Sequence, residues 1–452
     1  MKEITAKIIC DICKGTLLSG DESSGVEDFS IDTRTINPGD MYIALKGENS
    51  DGNKYIKDAF QKGAIGCITD DDINYKNKIV IKVKDTLKAM QDLATYKRSL
   101  YDIPVVAITG SVGKTSTKDI VAGVLSKKYK VLKTEGNFNN HIGLPLTLLK
   151  LKDHTAVAVE MGMNHFGEIR TLTNIAKPTI AVITNIGTSH IGNLGSRENI
   201  LKAKLEILEG LKNSKTVVIN NDNDLLYTWA QTVENYTPIT YGIVNKSDFT
   251  AKNIVETFEN TTFDINIEEK TYNVKVPVVG THFVYNSLCA LAVGKHLGLS
   301  EEDIINGISE FKLTEKRMDF RKIKNNATVL ADYYNASFDS MKSALDVVGK
   351  YKNRKIAVLG DMLELGEYAK SLHEKVGEEV VKNNIDILIT VGNLAKNIAK
   401  NAKNMGLSNI YECNNNFEAV NILKNIIKKD DLILLKASNA MHFGEIFDGI
   451  NA

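Results

Sequence analysis

Apolar, β-rich runs alternate along most of the chain with segments of helical periodicity. The runs lie at residues 105–108, 156–159, 180–183, 355–359, 385–389 and 431–435. Strands that are buried on both faces form continuous apolar runs, and helices between such strands indicate parallel βαβ units. The pattern therefore predicts an α/β fold with mostly parallel sheets.

One segment departs from this alternation. Residues 249–278 favour antiparallel strands, with turns at Glu259-Asn260 and Glu268-Glu269, and a helix is predicted over 282–297. A length of 452 residues suggests about three domains. The blocks that we separate are residues 1–100, 101–313 and 314–452.

Composition narrows the class of ligand. Hydrophobic residues make up 43% of the chain, and the 56 Lys and Arg balance the 56 Asp and Glu. A protein with no net charge has no global basic field to attract nucleic acid or an anionic membrane. No apolar run approaches the roughly 18 residues of a spanning helix, and the five cysteines are too few for a disulfide framework. We expect a cytoplasmic, monomeric protein that acts on small molecules.

The strongest local motif is a glycine-rich segment between an apolar strand and a predicted helix. Glycines let backbone N–H groups approach phosphate oxygens, and the helix N-terminus adds a positive dipole. In a P-loop the lysine reaches the β- and γ-phosphates and the following hydroxyl ligates Mg²⁺. Ile108 stands where the usual P-loop has its first glycine, but the strand–loop–helix context still predicts ATP binding. The residues of this site are Gly110, Ser111, Val112, Gly113, Lys114, Thr115 and Ser116.

Polar residues follow the next two strands. Glu160 comes directly after one strand and His190 follows the other, so both belong to the edge where ligands of parallel sheets bind. Together with the Thr115 hydroxyl they suggest a magnesium site, although a loop hydrogen bond explains His190 alone equally well. Residues 134–143 form an asparagine-rich segment that fits either a capped turn or a binding loop.

Together these motifs resemble the Mur ligase family, the ATP-dependent amide-bond-forming enzymes of peptidoglycan synthesis. The resemblance spans essentially the whole chain, with its motifs in family order. It implies the three-domain Mur ligase architecture. The N-terminal domain (1–100) would bind a UDP-substrate, and the central domain (101–313), with a P-loop-type, mostly parallel sheet, would bind ATP. The C-terminal domain (314–452) would be Rossmann-like α/β and would contribute to ATP and acceptor binding.

The resemblance also implies roles for particular residues. Thr115, Glu160, His190 and Lys204 would serve two Mg²⁺ ions, with Lys204 carbamylated. Asn286, Arg317 and Asp332 would bind ATP, through adenine, phosphates and ribose respectively. The residues implied in catalysis are Lys114, His190, Lys204 and Arg317. Those implied in substrate binding are Thr33, Arg34, Asn137, Asn139, Asn140, Tyr334, Asn335, Asp361, Glu364, His373, Lys436 and Ser438.

Residues 359–366 resemble the branch of the family that adds D-alanyl-D-alanine to UDP-N-acetylmuramoyl-tripeptide through an acyl phosphate. Two departures concern the acceptor side. Ser337-Phe338 replaces an expected Asn-Pro, and Ala437 and Asn439 replace the glycine and arginine of a K-G-S-R pattern. A ligase with another amine acceptor is therefore an alternative.

Three further alternatives are a folylpolyglutamate synthase-like ligase, an idle nucleotide-binding regulator and a P-loop GTPase. The N-terminal block argues against the first and the retained site residues against the second. No N-K-x-D motif stands in the context that a GTPase requires. Because the site residues come from separate blocks, we also predict closure of the C-terminal domain about a hinge near Thr314.

Overall fold

The computed structural model describes residues 4–47, 50–211, 214–257, 259–313, 317–323 and 326–451. The hinge predicted near Thr314 lies outside these residues. Three large sheets span residues 16–82, 105–276 and 319–436. The α/β class is therefore confirmed, while the domain boundaries stay predictions.

The first sheet has five strands in the order β2-β7-β6-β5-β4. Its strands pair in parallel, except for the antiparallel pair β2 and β7. A separate antiparallel pair joins β1 and β3. The elements of this part are β1 (Ile4–Thr5), α1 (Ala6–Cys13), β2 (Thr16–Ser19), β3 (Gly25–Val26), β4 (Phe29–Ser30), β5 (Met41–Ile43), a 3₁₀ helix (Gly52–Tyr55), α2 (Ile56–Gln61), β6 (Gly66–Thr69), β7 (Ile79–Lys82) and α3 (Thr86–Ser99).

The second sheet has nine strands in the order β16-β15-β14-β13-β12-β11-β8-β10-β9. The strands from β9 to β14 pair in parallel, and β14, β15 and β16 form the predicted antiparallel segment. The strands are β8 (Val105–Thr109), β9 (Val131–Lys133), β10 (Ala156–Glu160), β11 (Ile180–Ile183), β12 (Thr216–Asn220), β13 (Thr237–Gly242), β14 (Phe249–Glu256), β15 (Thr261–Ile267) and β16 (Lys270–Val276). The helices are α4 (Lys114–Leu125), α5 (Gly143–Leu149), α6 (Glu168–Ala176), α7 (Ile191–Leu194), α8 (Arg197–Leu205), a 3₁₀ helix (Glu206–Gly210), α9 (Asp224–Thr232), α10 (Thr281–His296) and α11 (Glu301–Ser309).

The third sheet has six strands in the order β17-β18-β22-β19-β20-β21, all parallel except the edge pair of β17 and β18. Its strands are β17 (Asp319–Lys322), β18 (Thr328–Ala331), β19 (Lys355–Gly360), β20 (Ile387–Val391), β21 (Ile410–Cys413) and β22 (Leu432–Lys436). The helices are α12 (Phe338–Gly349), a 3₁₀ helix (Gly366–Tyr368), α13 (Ala369–Lys382), α14 (Lys396–Asn404), α15 (Asn416–Ile426), a 3₁₀ helix (Asn439–Met441) and α16 (Gly444–Asn451).

The core explains why the apolar runs became central strands. Every residue of β8, β10, β11 and β20 is buried, because helices cover both faces of the sheets. No helix in the described part of the chain is long and apolar enough to cross a membrane.

A buried arginine contributes to the contact between the N-terminal part and the central part. Arg98 is 6% exposed and donates to the backbone oxygens of Ala176 (2.9 Å), Tyr101 (2.6 Å) and Lys177 (3.2 Å). The donors of a buried guanidinium need acceptors, and three backbone carbonyls accept from Arg98 here. The contact holds α3 against the end of α6.

Candidate active site

A cavity of about 900 Å³ opens at the carboxyl edge of the central sheet. The loops after β8, β10, β11 and β12 form its floor, α10 forms one side, and residues of the C-terminal part form its roof. Among the residues predicted from the sequence, those that line it are Ser111, Val112, Gly113, Lys114, Thr115, Ser116, Asn137, Asn139, Asn140, Glu160, His190, Asn286, Arg317, Asp332, Tyr334, Asn335 and Lys436.

The glycine-rich loop needs its glycines for two different reasons. Gly113 has φ +81° directly before α4, a conformation that side chains rarely adopt. Gly110 has φ +153°, and a Cβ atom there would lie 1.9 Å from Thr184 Oγ1. The turn therefore brings the backbone of Gly110 next to the end of the neighbouring strand β11.

Asn185, which follows the neighbouring strand β11, fixes the conformation of this loop by hydrogen bonds. Its Oδ1 accepts hydrogen bonds from the backbone N–H groups of Ser111 (3.0 Å) and Val112 (2.9 Å). The Ser111 hydroxyl in turn accepts from the Gly187 N–H at 2.9 Å. Sequence reasoning passed over Asn185, because its partners lie more than 70 residues away in the chain.

We expect Asn185→Ala to raise the KM for ATP by about 10- to 30-fold with a smaller change in kcat. Two hydrogen bonds of about 1 kcal/mol each set the loop, and 1.4 kcal/mol corresponds to a factor of ten. Steady-state kinetics over a range of ATP concentrations measures this change.

Asn185→Asp is the informative companion variant. Its carboxylate can still accept both N–H groups, but it adds negative charge beside the predicted phosphate site. It should therefore weaken ATP binding at least as much as Asn185→Ala. An unchanged KM in both variants would contradict the role of Asn185.

Two basic side chains, Lys114 and Arg317, line the cavity. Lys114 Nζ donates to the Gly110 backbone oxygen at 2.9 Å, and the Arg317 guanidinium lies 3.9 Å from the centre of the Tyr334 ring. Burial lowers the pKa of Lys114, the carboxylate of Glu160 opposes this shift, and the charge of Arg317 adds to it. Positive charges gathered in this way favour a polyanionic ligand.

Glu160 is the central acid of the cavity. It is the last residue of β10, only 3% exposed, and its two oxygens accept hydrogen bonds from the Thr115 hydroxyl and the Asn139 amide, both at 2.8 Å. The P-loop-like segment, the asparagine-rich segment and the strand end therefore meet at one carboxylate.

His190 and Lys204 are both withdrawn from solvent. His190 Nδ1 lies 2.9 Å from Glu364 Oε2, and burial is the main cause that lowers its pKa. Lys204 is 1% exposed; burial, reinforced by the charge of Lys114, lowers its pKa well below the usual value. A lowered pKa favours the neutral form of a lysine, whose amine is nucleophilic.

The C-terminal part contributes an acid held by a buried lysine. Lys436 Nζ donates to Asp332 Oδ2 (2.5 Å) and to the backbone oxygen of Asn335 (3.1 Å). The Met318 N–H donates to the other carboxylate oxygen of Asp332 at 3.3 Å. The ion pair fixes Asp332 at the carboxyl end of β18.

The far end of the cavity has an unpartnered donor. Asn286 Oδ1 accepts from the Thr117 hydroxyl at 3.0 Å, whereas its buried Nδ2 has no hydrogen-bond partner among the described residues. A buried amide without a partner costs free energy unless a ligand accepts from it. Nearby, the Tyr285 hydroxyl donates to Asp222 Oδ2 at 2.9 Å, a pair that sequence reasoning also missed.

Eight predicted residues are absent from the described lining of the cavity. Gly110 directly precedes the lining residue Ser111, and Lys204 is buried. Thr33 and the exposed Arg34, which is paired with Asp32, belong to the N-terminal part. The others form hydrogen bonds within or from the C-terminal part: Asp361, Glu364, His373 and Ser438.

Comparison with known proteins accounts for this arrangement. Family profiles match as the Mur ligase family catalytic domain at residues 26–98, the Mur ligase middle domain at 108–294 and the Mur ligase glutamate ligase domain at 316–439. The chain is 38% identical to the UDP-N-acetylmuramoyl-tripeptide--D-alanyl-D-alanine ligase of Bacillus subtilis (strain 168), over 98% of this chain and 97% of that protein.

The chain belongs to the Mur ligase family.

Solved Mur ligase structures superpose over nearly the whole length. MurF from Acinetobacter baumannii matches with a TM-score of 0.91 and 27% identity, covering 100% of this chain and 99% of that chain. MurF from Thermotoga maritima in complex with ADP matches with a TM-score of 0.83 and 27% identity, covering 94% and 97%. The predicted Mur ligase architecture is therefore confirmed.

The residues at the two departures from the Mur ligase pattern fit their surroundings in the structure. Ser337 caps α12 by accepting from the Ser340 N–H, and its own N–H donates to the Ser340 hydroxyl. Ala437 is fully buried against Gly360, whereas Asn439 is exposed. Neither change removes a residue that lines the phosphate side of the cavity.

Proposed function

We propose that this chain is an ATP-dependent ligase that joins D-alanyl-D-alanine to UDP-N-acetylmuramoyl-tripeptide, forming the UDP-muramoyl-pentapeptide. The observation that carries the proposal is that Lys114, Glu160 and Arg317 line the same cavity. These residues come from two domains, and the curated relative of this name matches along the full chain.

ATP would lie with its phosphates on the loop of residues 110–116. The loop N–H groups that do not donate to Asn185, the start of α4 and Lys114 would neutralise phosphate charge from the central side, and Arg317 would do so from the C-terminal side. The unpartnered Nδ2 of Asn286 is a donor suited to the adenine ring. Asp332, fixed by Lys436, offers its carboxylate to the ribose hydroxyls.

The donor set fits magnesium. The described residues contain no cluster of three or more His, Cys, Asp or Glu side chains placed to hold a metal. Magnesium in nucleotide sites does not need such a cage, because one or two carboxylates and the phosphates supply its ligands. Thr115 and Glu160 would hold one ion, and His190 and Lys204 a second. The bound ions would neutralise charge on the transferred phosphoryl group.

Lys204 can serve a cation only after its charge is removed. Its uncharged amine can attack CO₂ to give a carbamate with loss of a proton, and the carbamate presents anionic oxygen ligands. The depressed pKa of Lys204 supports this modification, because only the neutral amine reacts.

The reaction has two chemical steps. The terminal carboxylate of the tripeptide attacks the γ-phosphorus of ATP, giving an acyl phosphate and ADP. The amine of the dipeptide then attacks the acyl carbon, the nitrogen loses a proton, and phosphate leaves from the tetrahedral intermediate. Lys114 and Arg317 stabilise charge in the first step, and positioning supplies much of the remaining acceleration.

The proposed substrate-binding residues are assigned from their positions in the structure. Asn137, Asn139, Asn140, Tyr334 and Asn335 line the cavity and are proposed to contact the UDP-tripeptide or the dipeptide. Thr33 and Arg34 in the N-terminal part are proposed to bind the uridine nucleotide. The cytoplasmic location and the monomeric state remain predictions.

Phosphate release from ATP tests the function directly. We expect release with UDP-N-acetylmuramoyl-tripeptide to depend strictly on D-alanyl-D-alanine, and mass spectrometry to show the pentapeptide product. Release that needs the UDP-substrate but ignores the dipeptide would indicate a different amine acceptor. Release without any UDP-substrate would contradict the ligase function.

A further inference from the structure

A loop of the C-terminal domain reaches the predicted catalytic histidine. Glu364 Oε2 lies 2.9 Å from His190 Nδ1, and the side chains are 52% and 18% exposed. Both residues have positive φ, +63° for Glu364 and +64° for His190. Such backbone is costly for residues other than glycine and persists only where the surroundings hold it in place.

The backbones of the two loops are in direct contact around this pair. The Gly192 N–H donates to the Glu364 oxygen at 3.2 Å, and the Tyr368 hydroxyl donates to the Gly195 oxygen at 2.6 Å. A Cβ atom on Gly192 would lie 2.5 Å from the backbone nitrogen of Gly366. A side chain at position 192 would therefore clash with the backbone of the loop, so this close approach of the two loops requires a glycine at residue 192.

Residues of the C-terminal domain hold the loop in this position. The Met362 N–H donates to His373 Nε2 and the Leu363 N–H to the Ser438 hydroxyl, both at 3.0 Å. His373 is fully buried and also contacts the Ala369 oxygen through Nδ1 at 2.6 Å. The side chains of His373 and Ser438 therefore fix the loop that carries Glu364.

The pairing dictates the protonation of the imidazole. An ionised carboxylate only accepts hydrogen bonds, so Nδ1 of His190 donates to Glu364, and in the neutral ring Nε2 then keeps its lone pair. Carboxylates that orient a histidine through its other nitrogen are a common support for metal ligands.

We infer that Glu364 is a positioning residue that orients His190, so that docking of the C-terminal loop prepares the histidine of the central domain. This inference rests on the proposed function, in which His190 serves the second Mg²⁺. It assigns Glu364 a role other than contact with substrate.

The first test needs neither metal nor substrate. In ¹⁵N-histidine NMR spectra of the intact protein, His190 should show a protonated Nδ1 and an unprotonated Nε2, with the resonance identified by loss in His190→Gln. Glu364→Ala should shift the ring toward the other tautomer, and Glu364→Gln, which can still accept through its amide oxygen, should retain part of the original state. Glu367→Gln, an exposed glutamate of the same loop, is the matched control and should change nothing.

The second test separates positioning from substrate contact. We expect Glu364→Ala to raise the KM for Mg²⁺ by about 10- to 100-fold, while the KM for the dipeptide changes less than about twofold. Gly192→Ala keeps Glu364 but wedges the loops apart, and it should also raise the KM for Mg²⁺. Asn193→Ala, an exposed neighbour in α7, should not.

Two results would overturn the inference. An unchanged His190 ring in Glu364→Ala would show that Glu364 does not orient it. A raised KM for the dipeptide, with the KM for Mg²⁺ unchanged, would show that Glu364 contacts the acceptor instead. If the wild-type protein ligates no dipeptide, the proposed function fails, but the NMR experiment still decides the orientation of His190.

Discussion

We expect Lys114→Met to lower kcat by about 10²- to 10³-fold, the loss associated with removal of one preorganised donor from a developing charge. Lys114 Nζ is held by the Gly110 oxygen at the start of α4 and is the cation of the loop that faces Glu160 and Arg317. Methionine preserves most of the length of the side chain, so the variant removes charge with little change in packing. Steady-state kinetics should show the loss, and calorimetric binding of the UDP-substrate should be retained.

Lys130→Met is the matched control for this variant. Lys130 lies before β9, at the amino edge of the same sheet, and forms an ion pair with Asp153 whose two side chains are 58% and 66% exposed. An exposed pair of this kind contributes little to stability, so activity should remain near that of the wild type. If Lys114→Met kept kcat within tenfold of the wild type, the phosphate-binding role of Lys114 would be wrong.

The second large effect concerns Lys204. We expect Lys204→Ala to lower kcat by at least about 10²-fold, because the site then lacks the carbamate oxygens that would neutralise charge there. Truncation also leaves space at a buried position, into which a small carboxylate such as formate or acetate can enter. Millimolar concentrations of either anion should restore part of the activity, measured as phosphate release.

Three comparisons make this result specific. Lys204→Arg should be inactive and unresponsive to acetate, because it fills the space and adds a fixed positive charge close to Lys114. Lys202→Ala, an exposed lysine of the same helix, should behave as the wild type. Wild-type activity should fall in CO₂-depleted buffer and return with bicarbonate. Full activity without CO₂ would contradict carbamylation.

Much of the fold was predictable because its signals are local. The buried strands β8, β10 and β11 were predicted from short apolar runs, and the antiparallel strands of residues 249–276 from the turn residues between them. The glycine-rich segment also indicated a helix directly after it, which the structure shows as α4 (Lys114–Leu125). The residues quoted for the ATP loop were found in the same way.

Side-chain hydrogen bonds between distant residues were harder to predict from the sequence. Asn185 and Ser111 are separated by 74 residues, and His190 and Glu364 by 174. A local sequence pattern carries no information about pairs that are so far apart in the chain. His373 and Ser438 illustrate the consequence: their residue types fit a substrate crevice, yet their polar atoms are used to hold residues 362 and 363 of the neighbouring loop.

The sequence by itself therefore determined the α/β class, the family and the chemistry of the phosphate-binding loop, since each depends on residues that are close together in the chain. Only the tertiary structure decided which groups orient that chemistry: Asn185 behind the loop, Lys436 beneath Asp332, and Glu364 against His190. The physical reason is that hydrogen bonds and ion pairs depend on ångström-scale separations, and chain folding brings these partners together only after the sheets and domains have packed.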